Sequence, residues 1–354
     1  MEENKKVEEN QEVEEVKVVE SDKADETQIK KGSKKKIIIG VTVAVIVLAV
    51  AIGVYANNKL SKIQHKEVNE DKLQISKEVE KEITDEYLNV AIFGTNVRSA
   101  EDKTVDSDAV YVASLNLKTK EVKILPVYGN TLMQHGGNTL KMKDAYAEGG
   151  AEEAIAVLNE NLELNIKDYV TLNFQVLVDM IDTIGGIEID VTEEEIPHIN
   201  GYDQDIAKSL GKEVKQVTKA GKQLLDGCQA TGYCRIRVTE GGDVKRGSRQ
   251  TEVINKVLNK VKDSGFTYMD KIMDIVFPNV QTNFDKTELI SYGKDAASYT
   301  ITQLQAYPRT IKEQVRKPEK EGVQFADYEE VVEGTNCEQD VKDIHKELFE
   351  EKEK

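Results

Sequence analysis

The chain has 354 residues and a formal net charge of −17, from 48 Lys+Arg against 65 Asp+Glu. Its mean hydropathy is −0.49. This length carries one large or two ordinary domains. The acidic balance argues against a general nucleic-acid binder, because phosphate affinity rests on basic surface.

Residues 1–36 are rich in Glu and Lys, contain no aromatic residue and read as a disordered tail. Ile37 to Ala56 follows as 20 uncharged residues, 17 of them apolar, which is the length of a membrane-spanning helix. A buried core helix would normally carry a polar face. Six Lys lie in the 15 residues before this run and three in the 15 after it. The positive-inside rule therefore predicts a single-pass protein of the cell membrane, with a cytoplasmic N-terminus and an extracellular main domain. Residues 57–85 interleave charges with Leu60, Ile63, Leu73, Ile75, Val79 and Ile83, as an amphipathic stalk helix would.

A main domain is expected over 86–317. Leu88–Phe93 is a short apolar run that suits a buried strand entering a loop at Gly94. Ala109–Asn116 and Glu121–Val127 are β-rich runs joined by a polar segment, which predicts a hairpin. Gly150–Leu164 has helical spacing, and Tyr169–Phe174 alternates like a strand. Gln175–Ile184 reads as a helix stopped by Gly185-Gly186. Ile187–Val191 is another strand and 192–221 a long polar insertion. Leu224–Gly232 is read as helix, Tyr233–Val238 as strand and Val244–Val261 as amphipathic helix. Strands alternating with helices give the α/β class, and the hairpin makes its sheet mixed. Residues 318–354 form a charge-dense tail, helical in part or disordered.

Cys228, Cys234 and Cys337 are an odd number, so at least one thiol stays out of any disulfide. Cys228 and Cys234 read as buried structural residues. The four His, at positions 65, 135, 198 and 345, are scattered, which argues against a zinc site.

Arginine is distributed unevenly. The chain holds 7 Arg against 41 Lys, yet Arg235, Arg237, Arg246 and Arg249 fall within 15 positions. Arginine is favoured over lysine where a planar, bidentate contact to phosphate or carboxylate is needed. Arg235 and Arg237 share one face of the expected strand. Arg246 and Arg249 share one face of the following helix, whose N-terminus adds partial positive charge. An anion pocket and a set of surface salt bridges fit this spacing equally well. Arg98, in the Gly94–Arg98 loop, and Asp108, at the next strand start, are candidates to join it, Asp108 as a cation ligand.

The ordered set of motifs resembles the LytR–CpsA–Psr family of bacterial cell-envelope proteins. The blocks are Gly94-Thr95-Asn96-Val97-Arg98, Ser107-Asp108-Ala109, Pro126 to Thr131, and Ala145-Tyr146-Ala147-Glu148-Gly149-Gly150. Asp168 to Phe174 and Gly185 to Ile189 come next. The last block runs from Leu225-Asp226-Gly227 through Arg235, Arg237, Gly241-Gly242-Asp243 and Arg246 to Arg249-Gln250. The resemblance implies a three-layer α-β-α domain around a central mixed sheet, preceded by one transmembrane helix. It implies a phosphotransferase that attaches anionic glycopolymers, such as teichoic acid or capsule-like polymers, from a polyprenyl-pyrophosphate carrier to peptidoglycan. Arg98, Arg235, Arg237, Arg246, Arg249 and Gln250 would bind pyrophosphate, with Arg98 and Arg237 catalytic. Mg²⁺ would be held in part by Asp108, and an apolar pocket between sheet and helices would hold the lipid. The chain departs from the pattern at Asn96, where an aspartate is expected, and at Asp106, where an arginine is. Gly129 and Asn130 likewise occupy the places of an arginine and an aspartate. The alternative these departures raise is a catalytically impaired regulator or scaffold that binds the lipid pyrophosphate.

Overall fold

The computed structural model describes residues 57–95, 105–263, 266–295, 298–318 and 328–350. The expected span at 37–56, Asn96 and Arg98 lie outside the described residues. Among the described residues no helix is long and apolar enough to cross a membrane.

Seven strands form the main sheet: β1 (Gln64–His65), β2 (Tyr87–Thr95), β3 (Ser107–Asn116), β4 (Glu121–Val127), β7 (Asp168–Asn173), β10 (Val280–Thr282) and β11 (Thr300–Gln303). Their order is β1-β10-β7-β2-β3-β4-β11. β2, β3 and β4 pair antiparallel, as the hairpin predicts, while β2 pairs parallel with β7 and β4 with β11. The mixed sheet and its α/β class therefore stand. Three two-stranded ribbons join β5 (Leu132–His135) to β6 (Asn138–Lys141), β8 (Ile187–Val191) to β9 (Gly221–Leu225), and β12 (Ile311–Pro318) to β13 (Tyr328–Gly334).

The helices are α1 (Lys77–Glu82), α2 (Met142–Leu162), α3 (Phe174–Thr183), α4 (Ile196–Leu210), α5 (Gly227–Cys234), α6 (Gly242–Asp263), α7 (Phe266–Val276), α8 (Lys286–Gly293) and α9 (Cys337–Phe349). Period-2 alternation sends Ala91, Phe93, Val110 and Val112 to one face of the sheet. There they are buried with Ala154, Ile155, Leu158 and Leu162 of α2. Each fully buried Phe, Val, Ile or Leu side chain among these contributes on the order of 1.5–3 kcal/mol. Helices α3 and α6 stand on the opposite face. α2 begins eight residues earlier than its spacing predicts and kinks at Gly150, whose φ of 70° is open to glycine and strained for other residues.

Three expectations need correction. Residues 57–85 do not form one stalk helix. Leu73, Val79 and Ile83 are buried in the core beside α2, and Asn159 of α2 donates to the Leu73 carbonyl at 2.8 Å. The amphipathic spacing is real, but its apolar side packs on the domain. The polar insertion at 192–221 contains α4, with Ile199, Ile206 and Ala207 buried. Tyr233–Val238 is not a strand. Asp226 and Gln229 form a capping box that starts α5 at Gly227, and the helix runs through Cys234. Arg235 caps its end, so Arg235 and Arg237 lie on the loop before α6. The charged tail is helical in part, as expected: α9 lies there, docked with Val341, Ile344 and Leu348 in the core.

Candidate functional site

Loop 235–241 is held in place by Arg249. Its Nε donates to Oε1 of Glu195 at 2.9 Å, Nη1 to the carbonyl of Ile236 at 3.1 Å and Nη2 to Oγ1 of Thr239 at 2.7 Å. Arg249 is only 2% exposed and Glu195 4%. All three nitrogens are thus spent inside the protein, and the expectation that Arg249 grips a ligand is replaced by a scaffolding role. It staples α6 to the start of α4 and to the loop that carries Arg235 and Arg237.

Arg246, one turn earlier on the same helix, has a different setting. It lines a polar cavity of about 240 Å³ together with Arg235, Arg237, Gln250, Lys143, Asp106, Tyr202, Phe174 and Cys234. Four expected residues (Arg235, Arg237, Arg246 and Gln250) are therefore brought together. The guanidinium of Arg235 also lies over the ring of Tyr202, 5.2 Å from its centroid. The lining cations are Arg235, Arg237, Arg246 and Lys143, against the carboxylate of Asp106, a formal excess of three positive charges. Asp108 stands in β3 at the bulge where Thr95 pairs with Ser107.

A second cavity of about 320 Å³ adjoins the first and shares Phe174, Cys234 and Gln250 with it. Its walls come from the sheet (Ile92, Tyr111, Ala113, Ile124), from α3 (Val176, Leu177, Met180) and from α6 (Ile254, Val257, Leu258). Burial pushes the Cys234 thiol up to about 12, with the Glu252 carboxylate adding to the effect, so it stays neutral at physiological pH. Burial likewise raises the Tyr111 hydroxyl. Gly227 makes the close packing of this layer possible, since a Cβ there would meet the Val178 carbonyl oxygen of α3 at 2.1 Å. Gln250, from the amphipathic face of α6, stands at the join of the cationic and apolar spaces.

A site of this form accepts a ligand with an anionic head and a long apolar tail. The LytR_cpsA_psr family model matches residues 50–336. The chain belongs to that family. Its relatives in the family include TagV of Bacillus subtilis, named a polyisoprenyl-teichoic acid–peptidoglycan teichoic acid transferase. It is 28% identical over 204 residues, 56% of this chain and 50% of TagV. This match thus spans half the length of TagV. Biofilm regulatory protein A of Streptococcus mutans is 30% identical over 302 residues, 78% of this chain and 71% of that protein. TagT of B. subtilis, which carries the same transferase name as TagV, is 26% identical over 75% of this chain and 84% of its own length. Among solved structures, B. subtilis TagV superposes with a TM-score of 0.55 at 22% identity, covering 76% of this chain and all of TagV. TagT with bound octaprenyl pyrophosphate lipid superposes with a TM-score of 0.52 at 21% identity, covering 80% and 98%. These superpositions establish the LytR_cpsA_psr fold.

Asp108, the cation ligand that the resemblance implies, is placed in β3 by its backbone, and Asn96 lies outside the described residues. Among the described residues no group of three or more His, Cys, Asp or Glu side chains is placed to hold a metal ion.

Lys143 and Tyr202 were not expected in the site. Lys143 sits two residues before the Ala145-Tyr146 motif, and Tyr202 is an aromatic residue in a segment read as polar insertion. Neither position carries a periodic signal that marks it as cavity lining.

Proposed function

We propose that this chain is a membrane-anchored phosphotransferase that moves an anionic glycopolymer from a polyprenyl-pyrophosphate carrier to peptidoglycan in cell-wall biogenesis. The single observation that carries this reading is the continuity of the two cavities, cationic at Arg235, Arg237 and Arg246 and apolar beyond Cys234. The names of TagV and TagT support the same activity. The run Ile37–Ala56 supplies the single-pass anchor, with the N-terminus cytoplasmic and the main domain extracellular. A tether of this kind keeps the site within reach of a lipid that never leaves the bilayer.

In the proposed reaction a peptidoglycan hydroxyl attacks the phosphorus that bears the polymer. A new phosphodiester forms, the P–O–P bond breaks and prenyl phosphate leaves. Arg237 and Arg246 neutralise the charge that grows on the phosphoryl oxygens, and positioning with charge stabilisation accounts for most catalysis of this class. Arg98 belongs to the same proposed set. Asp106 is the carboxylate within the cavity suited to accept the hydroxyl proton. The apolar cavity fixes the prenyl tail and so orients the pyrophosphate. Asp108, with Mg²⁺, is the cation site of this reading.

A second reading, a regulator or scaffold that binds the lipid pyrophosphate without turnover, is favoured by Asn96, Gly129 and Asn130, which replace charged residues of the family pattern. One experiment separates the two. The full chain is incubated with polyprenyl-pyrophosphate-linked glycopolymer and peptidoglycan oligomers, and linked product is followed. Product that falls about 100-fold in Arg237→Ala supports transfer. Lipid binding without product assigns the chain to the second reading.

A further inference from the structure

We propose that a long prenyl tail leaves the apolar cavity past Ile301, where the edge of the sheet meets α6, so that Ile301 discriminates long tails from short ones. The inference rests on the lipid-pyrophosphate reading of the site above.

The cavity is too small for a long tail. An apolar cavity of about 150 Å³ takes one benzene molecule, which is about 25 Å³ per carbon. At that ratio the cavity of about 320 Å³ between the sheet, α3 and α6 holds on the order of 13 carbons. Its reach along α6 has the same scale. Gln250 stands at the join with the cationic cavity, and Leu258 lines the apolar wall farther along the helix, a rise of about 12 Å. A tail of C20 or longer must continue outside.

The wall gives way at one place. Ile301 of β11 is 44% exposed, whereas every other residue lining this cavity is buried or half-buried. β11 ends the main sheet: it pairs with β4 on one side, and among the described residues no strand covers its other edge. The register sets Ile301 beside Val122 and Gln303 beside Ile124, and both partners line the cavity. Alternation puts Ile301 and Gln303 on one face of the strand. Gln303 closes its part of the seam with α6. Its Nε2 donates to Oγ1 of Thr251 and its Oε1 accepts from Nδ2 of Asn255, both at 2.7 Å. The cationic end lies the other way along β4, where Pro126 and Val127 border Arg246 and Gln250. Val122 and Ile301 therefore mark the end of the cavity remote from the pyrophosphate. A tail held by its head at the arginines reaches this apolar, exposed end last.

The test compares binding of geranyl (C10) and geranylgeranyl (C20) pyrophosphate to the full chain by calorimetry. Wild type is expected to bind the C20 ligand more tightly. Ile301→Asp is expected to weaken C20 binding about 10-fold and to leave C10 binding within about twofold, because only the longer tail meets a charge placed at the exit. Ile301→Thr, which keeps the branched shape that suits a strand, is expected to shift C20 binding in the same direction by about threefold. It serves in place of Ile301→Asp if that variant does not fold, which the melting temperature shows. Equal losses for the two ligands overturn the proposal, and so does unchanged C20 binding in the folded variant. A wild type that binds C20 no more tightly than C10 overturns it as well. If wild type binds neither ligand, the lipid-pyrophosphate reading fails, and this proposal with it.

Discussion

Toward α2, the sheet's Ala91, Phe93, Val110, Val112 and Leu125 meet Ala154, Ile155 and Leu158 in a closed core. Toward α3 and α6, Ile92, Tyr111, Ala113 and Ile124 come from the same strands but border a cavity of about 320 Å³. Composition does not separate the two faces, since both are aliphatic with a few aromatics. What separates them is how the covering helix is held. α2 lies directly on the sheet, with its own apolar stripe filling the space. α6 is fastened through polar contacts instead: Arg249 ties it to Glu195 and to loop 235–241, Asn255 Nδ2 bonds the Gln303 side chain of β11 at 2.7 Å, and Ile254, Val257 and Leu258 border the cavity. One face thus supplies stability, and the other gives some of it up for a ligand space.

The largest effect is expected from removing the fastening itself. Arg249→Met leaves the Glu195 carboxylate buried without its guanidinium, which costs about 3–5 kcal/mol. Urea unfolding measures this loss. Arg237→Ala, on the loop that Arg249 supports, should leave the unfolding midpoint nearly unchanged while lipid binding falls. Equal stability losses in the two variants would break the distinction between scaffold and site.

A somewhat smaller loss belongs to the closed face. Leu158 is fully buried against the sheet, so Leu158→Ala removes packed volume and costs about 2–5 kcal/mol. Farnesyl pyrophosphate affinity, measured below the unfolding transition, should stay within about twofold, because the cavity lies across the sheet.

Much of this architecture was readable beforehand. Strands β2, β3, β4, β7 and β8 follow from apolar runs bounded by turns, and α3 and α6 from helical spacing, because periodicity records which side of an element is buried. The readings that missed depend on contacts remote in sequence. Tyr233–Val238 has the β-branched and aromatic content of a strand. The capping box at Asp226 and Gln229, and the docking of Gly227 on Val178, override that preference. Arg246 and Arg249 share a helix face by spacing, yet Glu195, 54 positions away, takes one of them. Lys143 enters the site because the turn at Gly129 meets the start of α2, a join that no local pattern announces.

A titratable group near the cavity side offers a further contrast. Asp203 of α4 neighbours Tyr202 in sequence and is 1% exposed. Burial, with the Asp226 carboxylate nearby, pushes its carboxyl up to about 6 from 3.8. The folded chain therefore keeps a proton that the unfolded chain releases near pH 4, with ~3.9 as the reference value. Stability from this group is full below that pH and falls as pH rises through the folded value, by roughly 2–3 kcal/mol. Asp203→Asn should remove this fall, seen as a smaller drop in unfolding free energy between about pH 4 and 7 than wild type shows. A drop identical to wild type would mean that the carboxyl is solvated in the folded chain.

The smallest expected effect on stability tests the two faces directly, by adding the same bulk to each. Ala154, in α2, is fully buried in the closed core, so Ala154→Leu must displace neighbours and costs about 1–3 kcal/mol. Ala113, on β3, borders the cavity, where three added carbons fit without displacing protein atoms. Ala113→Leu should therefore shift stability by less than about 1 kcal/mol, because new apolar contact offsets any local crowding. The same side chain occupies volume that a prenyl tail would use, so affinity for a C55 prenyl pyrophosphate should fall about 10-fold, near 1.4 kcal/mol. Affinity for inorganic pyrophosphate, which has no tail, should not change. A matching loss for both ligands would place the obstruction in the cationic mouth. A large loss of stability would mean that this face is packed as tightly as the other.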